Sequence, residues 1–145
     1  VVSADGLVAT CSHVVQDLES QQFGHPPPTR VTVVLHATGE TREAQVVPEW
    51  WRPGGKGDVA ILRLEGDLPE AVHPLPLGNC AATSGQPFRA FGFPGPKDVE
   101  GMHGHGTIGD PTTESGHPVM QLSSSDVTCG FSGGPVWSEV TRRVV

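Results

Sequence analysis

The sequence predicts an all-β protein built in two halves of similar size. Three observations carry that expectation. Short β-branched and aromatic runs recur, among them "RVTVVLH", "DVAILRL" and "PFRAFGF". The 19 glycines and 14 prolines fall between those runs instead of clustering as they would in a disordered segment. Almost no stretch carries a helical period.

Taken in order, "VVSADGLVAT" reads as strand, Ala4-Asp5-Gly6 turn, strand, with Asp-Gly as the hairpin signal. "SHVVQDL" reads as one helical turn, and "ESQQFGHPPPT" as a loop, because three consecutive prolines remove donors and hold an extended path. Strands are expected at 31–36, 42–47 and 58–64, the second alternating polar and apolar as a half-buried strand should. The Pro-rich, aperiodic stretch 66–84 is the best place for a connection. It gives a first half at 1–70, a linker at 71–84 and a second half at 85–145. Further strands are expected near 86–93, 105–108, 117–124 and 134–138.

Composition narrows the function classes. Sixteen acidic residues against nine Lys and Arg give a formal charge of −7 without a basic stripe, which argues against nucleic acid as a partner. No run approaches the roughly 18 apolar residues of a membrane span. Cys11, Cys80 and Cys129 follow no zinc-ligand spacing, and an odd number cannot all pair within the chain. All three are therefore expected as unbridged thiols, with a cytoplasmic location, no resident metal and no cofactor. The chain opens on an apolar run without an initiator Met and stops at "TRRVV", the start of another β-branched run. A piece cut from a longer protein at both ends is expected, so a missing leader carries little weight.

The most informative stretch is "TCGFSGGPVW", residues 128–137. A nucleophilic serine needs a base to take its proton and donors to hold the oxyanion that forms. Glycines at 130 and 133 allow sharp turns beside Ser132 and leave the amides of Gly130 and Ser132 able to point at one place. By itself such a run is equally well a glycine-rich β-turn. Two other segments change the balance: "ATCSHVV" puts His13 just after a strand, and "GDVAILRL" puts Asp58 at the head of one. Alone, each reads as an ordinary surface or turn residue; together they supply base, orienting acid and nucleophile.

These segments resemble the signatures of the trypsin-like, chymotrypsin-fold serine peptidases. "SHVV" is similar to the family's T-A-A-H region, "DVAIL" to its D-[IV]-A-L-L and "GFSGGP" to its G-D-S-G-G-P. "LVATCSHVV", "HPLPLGN" and "GQPFRAFGFPG" resemble bacterial HtrA-like members in particular. The resemblance implies two antiparallel six-stranded-type β-barrels with the active site in the cleft, which separations of 45 residues (13 to 58) and 74 residues (58 to 132) suit. It implies Ser132 as nucleophile, His13 as general base and then acid, Asp58 holding the His13 tautomer, and the amides of Gly130 and Ser132 as oxyanion hole. The partners implied are a protein or peptide substrate and fused or associated regulatory domains.

Departures from the family pattern are equally specific. Phe131 stands where the digestive enzymes carry the aspartate that pairs with a newly freed N-terminus, so that switch is not expected. Cys11 lies two residues before His13, whereas the vertebrate pattern has its cysteine directly after the histidine. The family adds strands after its serine, yet the sequence runs only thirteen residues beyond Ser132, and the second barrel is expected to be incomplete. Asp126, six residues before Ser132, sits where trypsin carries the acid at the floor of its primary pocket, and implies a preference for Arg or Lys; its alternative is a turn cap. Cys129 is either a pocket thiol or a packed one. His103 and His105 in "GMHGHGTIG" can be drawn as metal ligands, but a glycine-rich loop holds ligands poorly. Trp50 and Trp51 read as one surface and one core ring. The alternative to an active endopeptidase is a catalytically silent protease-like interaction module, since a fold does not fix a function.

Overall fold

The computed structural model describes residues 1–95 and 100–145. They form two compact units, Val1–Leu75 and Pro76–Val145. Both units are antiparallel β-sheet with little helix, as expected. Among the described residues no helix is long and apolar enough to cross a membrane.

The first unit contains β1 (Leu7–Thr10), α1 (Ser12–Val15), α2 (Leu18–Gln22), β2 (Arg30–Leu35), β3 (Glu40–Val46) and β4 (Ala60–Leu64), with a 3₁₀ turn at Pro48–Trp50. Its sheet runs β1-β4-β3-β2. β2 and β3 are a hairpin in register from Arg30 opposite Gln45 to Leu35 opposite Glu40. The period-2 pattern aims Ala44 and Val46 of β3, and Leu62 and Leu64 of β4, into one core with Leu35. Each of the larger side chains contributes about 1.5–3 kcal/mol by leaving water. Trp51 packs against that core while Trp50 is exposed, the division expected of the pair.

Two local expectations are corrected. Val1 and Val2 are not a strand: Val2 N–H donates to Leu7 C=O at 2.7 Å, closing the Asp5-Gly6 turn, but β1 takes its partner from β4. Residues 19–22, inside the expected loop, belong to α2, which Asp17 caps by accepting from Ser20 N–H at 2.8 Å.

The second unit contains a 3₁₀ turn at Cys80–Ala82, then β5 (Pro87–Gly92), β6 (Met102–Glu114), β7 (His117–Ser123), β8 (Val136–Ser138) and β9 (Arg143–Val144), in the order β7-β6-β5-β8-β9. β6 is far longer than the 105–108 expected. Its glycines and Pro111 disfavour a strand locally, but pairing with β5 over one part and β7 over the other overrides that, and the register shifts between Ile108 and Pro111. The core is Phe88, Ala90, Ile108 and Phe131. Phe131 belongs to the "GFSGG" run and is only 7% exposed. Space for its ring exists because β5 and β6 carry glycine beside it: a Cβ at Gly92 would lie 2.6 Å from Phe131 Cγ, and one at Gly104 would lie 3.1 Å from its Cε1.

Candidate active site

In the first unit the structure brings His13 and Asp58 together. His13 sits on α1, directly after β1, and Asp58 ends the loop 53–58 that leads into β4. That loop is pinched by a bridge between Arg52 and Val59, and Lys56 N–H and Asp58 N–H both donate to Pro53 C=O. Asp58 itself has φ +51°, a left-handed conformation that aspartate tolerates better than most residues but that still stores strain. The return is orientation of its carboxylate. Asp58 Oδ2 lies 2.6 Å from His13 Nδ1. Asp58 Oδ1 accepts from the His13 N–H at 3.0 Å and from the Ser12 hydroxyl at 2.7 Å.

The electrostatics follow from those bonds. Burial alone would raise the Asp58 carboxyl, but hydrogen bonds from Ser12, from the His13 ring and from the His13 N–H outweigh it and hold the group below the ordinary aspartate value. An ionised Asp58 accepts only, so the neutral form of His13 carries its proton on Nδ1 and its lone pair on Nε2. Nε2 is then the ring nitrogen able to accept a proton.

Two residues of this site escaped the sequence reading. Ser12 is fully buried and spends its hydroxyl on Asp58. Gln21, on α2, accepts from Gly54 N–H at 2.6 Å, donates to Gln16 C=O at 2.7 Å and lies 3.4 Å from Ser12 Oγ. It therefore joins the end of α1 to the loop that carries Asp58. The signal for Ser12 was a polar residue in an apolar setting next to the histidine; for Gln21 it was the Asp17 cap, which makes 18–22 a helix. Gln21→Ala leaves the Gly54 donor and the Gln16 acceptor without this partner and is expected to cost about 1–3 kcal/mol. Urea unfolding followed by tryptophan fluorescence reads that loss, and an unchanged midpoint would mean that the loop holds itself.

In the second unit, the serine run is two consecutive turns that share Phe131. The first closes with Phe131 N–H donating to Thr128 C=O at 3.3 Å and has Gly130 in its third position at φ +99°. The second closes with Gly134 N–H donating to Phe131 C=O at 2.9 Å and has Gly133 in its third position at φ +76°. A positive φ there favours glycine, which is why the serine lies among glycines. Gly130 has a second constraint: its C=O accepts from Phe93 N–H at 2.8 Å, and an added Cβ would clash with the Phe93 carbonyl oxygen and approach Pro94 Cα to 2.5 Å. Among the described residues, neither the Gly130 nor the Ser132 N–H donates to a protein acceptor. Ser132 is exposed, and so is Cys129.

Asp126 has defined local partners. Its carboxylate accepts from the Ser125 hydroxyl at 2.9 Å and from His105 N–H at 3.3 Å, and it lies 3.8 Å from His105 Nδ1. Those hydrogen bonds, Ser125's foremost, hold it below the ordinary aspartate value. Ser124 Oγ fastens the same loop, donating to His105 C=O and accepting from the N–H groups of Asp126 and Val127. No disulfide joins the cysteines. His103 packs its ring against Phe91, with centroids 5.0 Å apart.

An all-β chain whose histidine and aspartate are paired in one unit and whose serine lies in a double glycine turn in the other has the makings of a trypsin-like peptidase. Residues 1–145 match the family model of the trypsin-like peptidase domain, and the chain belongs to that family. Among solved structures it is similar to the HtrA-type protease AlgW with decapeptide, with a TM-score of 0.73 at 20% identity, over 100% of this chain and 40% of that one. That likeness is one of fold, and the chain spans 40% of the protease's length. No curated protein matches the sequence.

Proposed function

We propose that the protein is a serine endopeptidase that cleaves peptide bonds through an acyl-enzyme, with Ser132 as nucleophile, His13 as general base and Asp58 as its orienting acid. The observation that carries this reading is the 2.6 Å contact between His13 Nδ1 and Asp58 Oδ2, on a carboxylate whose other oxygen is saturated by the Ser12 hydroxyl and the His13 N–H. A structural ion pair does not need both oxygens committed in this way; a base that must keep one tautomer does. Nε2 takes the Ser132 proton as Oγ attacks the carbonyl carbon, and returns it to the leaving amine. The N–H groups of Gly130 and Ser132, which have no acceptor among the described residues, receive the oxyanion. Asp126 and Cys129 are the candidates for the wall of the substrate pocket. Any preference of Asp126 for Arg or Lys has to compete with its bonds to Ser125 and His105. Regulation, in the absence of the aspartate switch at position 131, falls to associated domains or to assembly.

A fluorophosphonate probe tests the assignment directly, because Ser132 Oγ bonds to phosphorus as fluoride leaves and the hydroxyl proton passes to His13. Covalent label is expected on Ser132 by peptide mapping and is expected to fall to near background in His13→Ala. Folded protein that takes no label would favour the silent interaction module, and label on another residue would remove Ser132 from the mechanism.

A further inference from the structure

We propose that Cys11, His13 and Asp58 form a zinc site, so that zinc(II) binds the peptidase at its base and acid and switches it off. One ligand atom from each residue, the Cys11 Sγ, a His13 ring nitrogen and an Asp58 carboxylate oxygen, lies within 4.8 Å of the other two. All three residues are partly buried. Ligand distances of about 2.0–2.3 Å put neighbouring donors of a tetrahedral ion roughly 3.3–3.7 Å apart, so small side-chain adjustments close the site. A thiolate with an imidazole and one carboxylate is a donor set for zinc and not for magnesium or calcium, which take oxygen ligands in higher number. Three protein ligands leave the fourth position to water.

The chemistry balances with one proton released. The Cys11 S–H bond breaks as the S–Zn bond forms, its proton passing to solvent, and His13 coordinates as neutral imidazole. If Nδ1 is the ligand, its proton must move to Nε2, and the lone pair facing the substrate is lost. If Nε2 is the ligand, that lone pair is in the metal bond. Either route leaves no general base. The position of Cys11, two residues before the histidine, then has a chemical consequence that its departure from the family pattern did not by itself suggest.

Binding can be tested without reference to catalysis, and only the inhibition rests on the peptidase reading. Calorimetric titration with zinc chloride is expected to show one site per chain, and cobalt(II) in its place is expected to show thiolate-to-cobalt charge-transfer absorption. Cys11→Ser is expected to weaken zinc binding about a hundredfold or more, since losing even a partner of a metal ligand costs about 10–100-fold. In the wild-type chain, zinc is expected to protect Cys11 from iodoacetamide while exposed Cys129 alkylates at its usual rate. Zinc affinity unchanged by Cys11→Ser, or equal alkylation of Cys11 with and without zinc, would overturn the site. Zinc binding by a protein that takes no fluorophosphonate would leave the site standing and remove the peptidase reading instead.

Discussion

Ser132→Ala is expected to reduce turnover of a peptide substrate about a millionfold, the scale seen when the nucleophile of a unit that acts together is removed. In the proposed mechanism the Ser132 hydroxyl forms the acyl-enzyme, and His13 has nothing to deprotonate once it is gone. What remains is the stabilisation that free N–H groups give to water's own attack. The fold should not notice the change. Ser132 is exposed, its side chain makes no hydrogen bond among the described residues, and the turn is held by the backbone groups of Gly130, Phe131 and Gly134. Steady-state kinetics with a urea midpoint for each form checks both halves. A variant that keeps its activity would exclude Ser132, and one that loses stability in parallel would make the loss of rate uninformative.

Asp58→Asn is expected to cost about 10⁴ in turnover, for a reason that can be read from the hydrogen bonds. The Ser12 hydroxyl and the His13 N–H both donate to Asp58 Oδ1, and only an oxygen can accept them. The asparagine carbonyl is therefore fixed on that side and its NH₂ group falls where Oδ2 was, facing Nδ1. A donor there turns Nδ1 into the acceptor and moves the imidazole proton to Nε2, which is the wrong tautomer for a base. Asparagine also tolerates a φ of +51°, so the loop is expected to survive. Nitrogen-15 shifts of the His13 ring report the tautomer independently of rate. Proton on Nδ1 in the variant, or turnover within about tenfold of wild type, would dismiss this account.

Much of this was legible in the sequence because it is written in local terms. The strands from "RVTVVLH" to "PFRAFGF" announce themselves by β-branched and aromatic runs, and the glycines around Ser132 by the positive φ that two turns require. Residues 105–108 gave only a fragment of β6, because a strand containing Gly104, Gly106, Gly109 and Pro111 exists through its two partners and not through its own propensity. Ser12 and Gln21 were missed for a related reason. Each matters through a partner 46 or 33 residues away, in Asp58 and Gly54, and no local pattern encodes such a pairing. His13 and Asp58 were visible only because their neighbours carry a family's text.

The glycines at 92 and 104 have a consequence for how this sequence can change. They do no chemistry, and what they contribute is a vacancy of the size of the Phe131 ring. Any side chain there contests that space, so a substitution on β5 or β6 would be inherited as a defect of the serine turn. The conditions for the turn that carries Ser132 are thus stored partly at two positions that carry no side chain at all.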